Sequence, residues 1–213
     1  MMNNIKLVIF DIDGTLVDAY SAIEKSVNYT MKMMGYPLRD YMTIRRVVGG
    51  GDEKLLEQFV STKDLKKALF LYRRHHKIAL PKYSVLMPNV RRVLRYLKGK
   101  NYKLAIASNR PTKFAQILIH HLNIAQYFNY TLCADKLRFN KPNPEILLKI
   151  MQRFHVKRTQ TLYVGDMITD AQAGKRASVK TIIVTTGSST ISEIKKVKPQ
   201  GIIRNLSALL KLL

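Results

Sequence analysis

Strand-like and helix-like segments alternate along this chain, and that rhythm restricts its fold more than any other feature of the sequence. Short apolar runs rich in Val, Ile, Leu and Tyr recur as "KLVIF" (6–10), "YKLAIA" (102–107), "YTLCA" (130–134), "TLYVGD" (161–166) and "TIIVTT" (181–186), with "GIIRN" (201–205) as a sixth. Runs of this length without polar alternation read as strands buried on both faces. Helical periods lie between them. "NVRRVLRYLK" puts Val90, Val93, Leu94 and Leu97 on one face with arginines opposite. "TKFAQILIHHL" aligns Phe114, Ile117, Leu118 and Leu122. "NPEILLKIMQRF" offers Asn143 as an N-cap, Pro144 at the first helical position, and a stripe of Ile146, Leu147, Ile150 and Phe154. Such alternation predicts an α/β fold: a doubly wound parallel sheet with helices on both faces. In sheets of this kind the functional site lies beyond the carboxyl ends of the strands.

One interval breaks the rhythm. After Asp18 the next strand-like run starts near Tyr102, and "NVRRVLRYLK" already supplies the crossover helix. Residues 19–82 are therefore surplus, and they read as helices: "AIEKSVNYTMKMMG", "DEKLLEQFV" and "KDLKKALFLYRRHHKIA". Gly35 suits a C-cap after the first, and Pro81 an exit from the last. The expectation is a core of residues 1–18 and 83–213 with a small helical cap, 19–82, over the strand ends. A chain of 213 residues suits such a domain and insert.

The strand ends carry the polar chemistry. The first finishes in Asp11 and Asp13, within "FDIDGTLVD". "LAIASNR" brings Ser108, followed by Asn109; "FNKPNPE" brings Lys141; "LYVGDMITD" brings Asp166 and Asp170. Two neighbouring carboxylates raise each other's cost of ionisation, and a bound cation is the first candidate to offset it. Hard carboxylate oxygens without nearby His or Cys favour Mg²⁺. Lys141 and the Ser108 hydroxyl would hold phosphate oxygens. An ionised Asp11 can attack phosphorus, and Asp13, on the same side of an extended chain, can move the proton. Phosphoryl transfer needs little beyond such positioning and charge.

Charge sharpens the point. Lys and Arg number 37 against 14 acids, a formal +23, and Leu65 to Ala134 contains no Asp or Glu. Four of those scarce acids are Asp11, Asp13, Asp166 and Asp170. The basic residues are spread over nearly every segment and follow no nucleic-acid motif, so a basic solvated surface with non-specific polyanion binding is expected, not a specific nucleic-acid site. No apolar run reaches the ~20 residues of a membrane span. With Cys133 as the single cysteine no intrachain disulfide forms, and a cytoplasmic protein is expected.

"DIDGTLVD", "ASN", "KPNPE" and "GDMITD", in this order, resemble the haloacid dehalogenase (HAD) superfamily of phosphohydrolases, over essentially the whole chain. Any one motif alone is weak; the ordered set is specific. The insert resembles the small helical cap of the subgroup containing phosphoglycolate phosphatases. The resemblance implies a Mg²⁺-dependent phosphatase working through an aspartyl-phosphate on a small phosphorylated metabolite, as a monomer or homodimer. It implies Asp11 as nucleophile and Asp13 as acid/base, with the Asp13 main-chain oxygen on the metal. It implies Asp166 as a metal ligand with Asp170 close by, directly or through water. Ser108 and Asn109 would contact phosphate, Lys141 would steady Asp11 and the phosphate, and Gly14 and Thr15 would shape the turn beneath it. "VGGGDE" (48–53), after Arg45 and Arg46, resembles the cap loop that faces the substrate, which makes Arg45 a candidate substrate contact beside its reading as a solvated helix residue. Dehalogenases of the superfamily lack the second aspartate, so Asp13 argues against dehalogenation. A phosphoglucomutase, a pyrophosphatase or a nucleotidase of the same fold remain alternatives, as does a basic nucleic-acid-binding or scaffold protein. Adjacent helical residues point apart, so His75 and His76, like His120 and His121, read as surface or core-edge positions.

Overall fold

The computed structural model describes residues 4–213. In chain order the elements are β1 (Leu7–Phe10), β2 (Val17–Asp18), α1 (Tyr20–Met34), α2 (Tyr41–Val47), α3 (Asp52–Leu56), α4 (Leu65–Tyr83), β3 (Val85–Leu86), α5 (Val90–Gly99), β4 (Lys103–Ser108), α6 (Thr112–His121), β5 (Tyr130–Cys133), α7 (Glu145–Phe154), β6 (Thr161–Gly165), α8 (Ile168–Ala177), β7 (Lys180–Val184), α9 (Ile191–Val197) and β8 (Gly201–Ile203). Six strands form one sheet in the order β5-β4-β1-β6-β7-β8, with every neighbouring pair parallel.

The unbroken apolar character of β1 has a direct structural cause. Successive side chains point to opposite faces, and both faces are covered. Val8 and Phe10 pack toward α5 and α6, against Val93, Leu97, Phe114 and Leu118. Leu7 and Ile9 pack the other way, against Ile146, Leu147 and Ile150 of α7 and Ala173 of α8. All four β1 side chains are fully buried. Each such burial stabilises the fold by about 1.5–3 kcal/mol. At the head of α7 the helix starts at Glu145, one residue later than the sequence implies, with Pro144 at the N-cap; the Asn143 carboxamide oxygen accepts from the Glu145 N–H at 2.9 Å.

Between β2 and β3 the chain builds a helical unit with an apolar cluster of its own. Tyr20, Ile23, Val27 and Met31 of α1 meet Ile44 of α2, Leu55 and Leu56 of α3, and Ala68 and Tyr72 of α4. The spacing 20, 23, 27, 31 is one helix face. Gly35 ends α1 in the left-handed conformation (φ 73°), and the Tyr36 N–H returns to the Met31 carbonyl at 2.9 Å.

Other local expectations change as well, and one small element is new. Pro81 lies inside α4, which continues to Tyr83 and forgoes a single N–H bond in its last turn. The "DEKLLEQFV" helix stops at Leu56, where the chain turns so that Phe59 and Val60 join the same cluster. The antiparallel pair β2–β3 closes the two crossings into and out of the helical unit; strands of two residues carry no periodic signal. Among the described residues no helix is long and apolar enough to cross a membrane.

Candidate active site

Register brings the acids together. Phe10 pairs with Ile106 on one side and Val164 on the other, so β1, β4 and β6 deliver Asp11, Ser108 and Asp166 to one sheet edge. The connection after β1 leads toward β4 and the one after β6 leads toward β7, so Asp11 and Asp166 flank the point where the winding reverses.

Lys141 is the hub of this edge. Its ammonium reaches Asp11 Oδ1 and Asp170 Oδ1 at 2.8 Å each, and the Ala107 carbonyl and Tyr163 hydroxyl at 3.0 Å each. The lysine is buried, which opposes its charge, yet Asp11 and Asp170 outweigh that and hold it well above the ordinary lysine range. Asp170 is also pushed upward by burial, but Lys141, the Tyr163 hydroxyl (2.6 Å) and the Met167 N–H (3.0 Å) hold it below its ordinary value. Asp11 behaves differently. Burial pushes it up to about 7; Lys141 pulls against this while Asp170 and Asp13 add to it.

Asp166 is fully buried, and burial, then Asp170 and Asp11, raise it well above the carboxylate range. Thr15 donates to its Oδ1 at 2.7 Å, whereas its Oδ2 is buried with no hydrogen-bond partner. Gly14 (φ 80°) turns the chain past that oxygen; a Cβ there would lie 2.3 Å from Asp166 Oδ2. One oxygen from each of Asp11, Asp166 and Asp170 lies within 4.8 Å of the others. With Asp13, the four carboxylates face two cations, Lys141 and Arg110, leaving two formal negative charges. An orphaned carboxylate oxygen and a surplus of two charges suit one hard divalent cation.

Not every expected residue faces that centre in the expected way. Ser108 lines the cleft, and its oxygen accepts from the Arg110 N–H at 3.2 Å. The Asn109 carboxamide is fully engaged as a brace: it donates to the Gly49 and Lys141 carbonyls (2.8 and 3.1 Å) and accepts from the Lys141 N–H (2.8 Å). Its side chain thus positions Lys141 and the 48–53 loop. Asp170 belongs to the acidic cluster, but its Oδ2 is held by the Asp166 and Met167 N–H groups and its Oδ1 by Lys141 and Tyr163, so it anchors the site more than it opens toward a ligand. Arg45 does not line the cleft. It donates to the Thr186 and Gly187 carbonyls (3.2 and 2.7 Å) and lies 4.9 Å over the Tyr20 ring.

Two residues were missed. His76 is fully buried, not at the surface or the core edge, and Arg110 is buried beside it. Arg110 forks onto Asp13, with Nη2 2.6 Å from Oδ1 and Nε 2.9 Å from Oδ2. Both line the same cleft, of ≈ 50 Å³, with Ile23, Leu55 and Phe114 as apolar walls. His76 follows Tyr72 by one helical turn and precedes Ala79 and Leu80, all buried, and that spacing was the signal available for it.

A parallel sheet with paired acids at its switch point, a buried lysine between them and a helical unit over the opening defines a hydrolase of the haloacid dehalogenase type. Residues 8–184 match the family model for haloacid dehalogenase-like hydrolases, and the chain belongs to that family. It is 30% identical to a phosphoglycolate phosphatase of Pseudomonas putida over 96% of this chain and 78% of that one. It is 29% identical to a phosphoglycolate phosphatase of Aquifex aeolicus over 93% and 95% of the two chains. A crystal structure of a predicted phosphoglycolate phosphatase from Haemophilus somnus superposes with a TM-score of 0.93 at 27% identity, covering 100% of this chain and 99% of that one.

Proposed function

We propose that this enzyme is a Mg²⁺-dependent phosphomonoesterase that hydrolyses a small phosphorylated metabolite through an aspartyl-phosphate, with phosphoglycolate the first substrate to test. The observation that carries the reading is the pairing of Asp11, held on one oxygen by Lys141, with an Asp166 whose Oδ2 is buried and unpartnered. Asp11 and Asp166, with the main chain at Asp13, would hold the cation. When bound, it supplies charge that keeps the two carboxylates ionised and polarises the phosphoryl group.

The remaining work falls to the protein's own groups. Lys141 fixes Asp11 Oδ1 and leaves Oδ2 free of it to attack phosphorus in line. As the ester P–O bond breaks, Asp13 gives its proton to the leaving oxygen. Asp13 then takes a proton from water, which attacks the same phosphorus and releases phosphate and an intact Asp11. The Ser108 hydroxyl and Lys141 offset charge on the phosphoryl oxygens. Asp170 keeps Lys141 charged and aimed. The small cleft and its apolar walls favour a compact ester over a nucleotide, and the printed names of the curated relatives point to phosphoglycolate. The decisive test is a panel of phosphomonoesters assayed with Mg²⁺ and again with chelator. Turnover of small esters, lost on chelation and in Asp11→Asn, is expected; an Asp11→Asn protein with full turnover refutes the mechanism. Phosphoryl transfer to a sugar in place of water would favour the phosphoglucomutase alternative.

A further inference from the structure

The Asp13 carboxylate accepts hydrogen bonds from one side chain only among the described residues, Arg110. Arg110 is itself held from the helical unit: its Nη1 lies 2.7 Å from His76 Nε2 on α4. A guanidinium is donor-only, so His76 Nε2 must accept and its Nδ1 must carry the hydrogen. That Nδ1 lies 3.0 Å from Ser26 Oγ on α1, and the Ser26 hydroxyl passes its own hydrogen to the Ala22 carbonyl at 2.8 Å. With Nε2 accepting and Nδ1 donating, His76 is neutral; Ser26 Oγ also meets His75 Nδ1 at 3.1 Å. Burial, then the Arg110 charge, hold His76 well below the ordinary histidine range, in agreement with that assignment. The ring is also fixed sideways. It stacks on Tyr72 at 4.7 Å and meets Phe114 edge-on at 5.1 Å.

We propose that Arg110 and His76 are positioning residues for proton transfer by Asp13, so that α1 and α4 set the aim of the acid/base. The inference rests on the acid/base reading of Asp13 given above. A carboxylate offers about four acceptor sites, and the Arg110 fork takes one on each oxygen, leaving the others for the travelling proton. Orientation of a reacting group by a second residue, itself oriented by a third, is the arrangement that makes an acid/base effective. The proton balance is unchanged: Asp13 gives one proton to the ester oxygen as that P–O bond breaks and regains one from water as the phosphoryl–Asp11 bond breaks.

The test compares two substrates with Mg²⁺ present. An alkyl phosphate, phosphoglycolate, needs a proton on its leaving oxygen; para-nitrophenyl phosphate needs it far less. His76→Phe keeps the ring packing and removes the acceptor for Arg110. Arg110→Lys keeps the charge and removes the fork. Each should lower kcat/KM, which reports the step that expels the leaving group, about 10-fold more on the alkyl ester than on the aryl ester, a fraction of the full general-acid contribution of about 10²–10⁴. KM should change by less than about 3-fold, and His76→Gln, which restores an acceptor, should recover most of the alkyl rate. Melting curves on each variant exclude unfolding as the cause, and Arg110→Lys carries the test if His76→Phe does not fold. Equal losses on both substrates in both variants, with Asp13→Asn still discriminating between them, would overturn the positioning role and leave Asp13 as the acid/base. An Asp13→Asn protein that treats both substrates alike would overturn the acid/base reading itself.

Discussion

Stability of the metal-free protein should fall as pH rises through the range where Asp11 loses its proton. The ordinary value of 3.8 becomes about 7 in the folded chain. Between those values the folded state holds a proton that the unfolded chain has released, so stability declines with pH across that window. Below about 4 both states are protonated and above about 7 both are ionised, so this group adds no slope outside it. The displacement from 3.8 to about 7 corresponds to about 4 kcal/mol lost between acid and neutral pH. Asp166 moves in the same direction for the same reason, burial first and then its acidic neighbours. At about 2–4 °C per kcal/mol for a chain of this size, the melting temperature should drop by about 10 °C between pH 4 and 8. The net charge of +23 works the other way, because self-repulsion eases as pH rises. The assay therefore compares calorimetric melts of the wild type with those of Asp11→Asn, whose surface charge changes identically and whose position 11 does not titrate. The difference between the two should carry the slope. Mg²⁺ should then raise the wild-type melting temperature strongly at pH 8 and weakly at pH 5, where protons compete for the same oxygens. A wild-type-minus-variant difference that is flat or rising through pH 4–7, or equal Mg²⁺ stabilisation at both pH values, would refute this account of the acidic cluster.

Other perturbations have equally definite outcomes. Lys141→Met removes four ammonium contacts and leaves Asp11 and Asp170 buried without their cation, so it should cost about 3–5 kcal/mol in chemical denaturation and abolish turnover. Gly187→Ala would place a Cβ 1.8 Å from the unpartnered Asp166 Oδ2, so titration calorimetry should show at least about 10-fold weaker Mg²⁺ binding with the far-ultraviolet circular dichroism unchanged. Arg46→Ala breaks a solvent-exposed ion pair with Glu193, and the midpoint of urea melts should stay close to that of the wild type.

How much of this could be read from the sequence follows from the range of the forces involved. The six sheet strands were legible because burial on both faces leaves unbroken apolar runs, as in Leu7–Phe10. Asp11, Lys141 and Asp166 were legible because each ends or follows a strand, and a parallel sheet gathers such ends at one edge. Arg110 was not, because its partner Asp13 lies 97 residues away and nothing local marks the pair. His76 was half legible: the adjacent His75 suggested a surface position, while Tyr72, Ala79 and Leu80 already marked the buried face. Asn109 was placed at the right edge, but the bracing work of its carboxamide was not legible, since only the structure brings the Lys141 and Gly49 carbonyls to its amide.

The claim on which the rest depends is that Asp11 is the group that attacks phosphorus. Rapid acid quenching of the Mg²⁺-loaded enzyme during turnover of radiolabelled phosphoglycolate, followed by peptide mapping, tests it directly. The account predicts label on the peptide carrying Asp11, released by hydroxylamine as an acyl phosphate must be, and absent from Asp11→Asn. Turnover with no labelled protein, together with inversion at a chiral phosphorus in place of the retention that two displacements require, would contradict it.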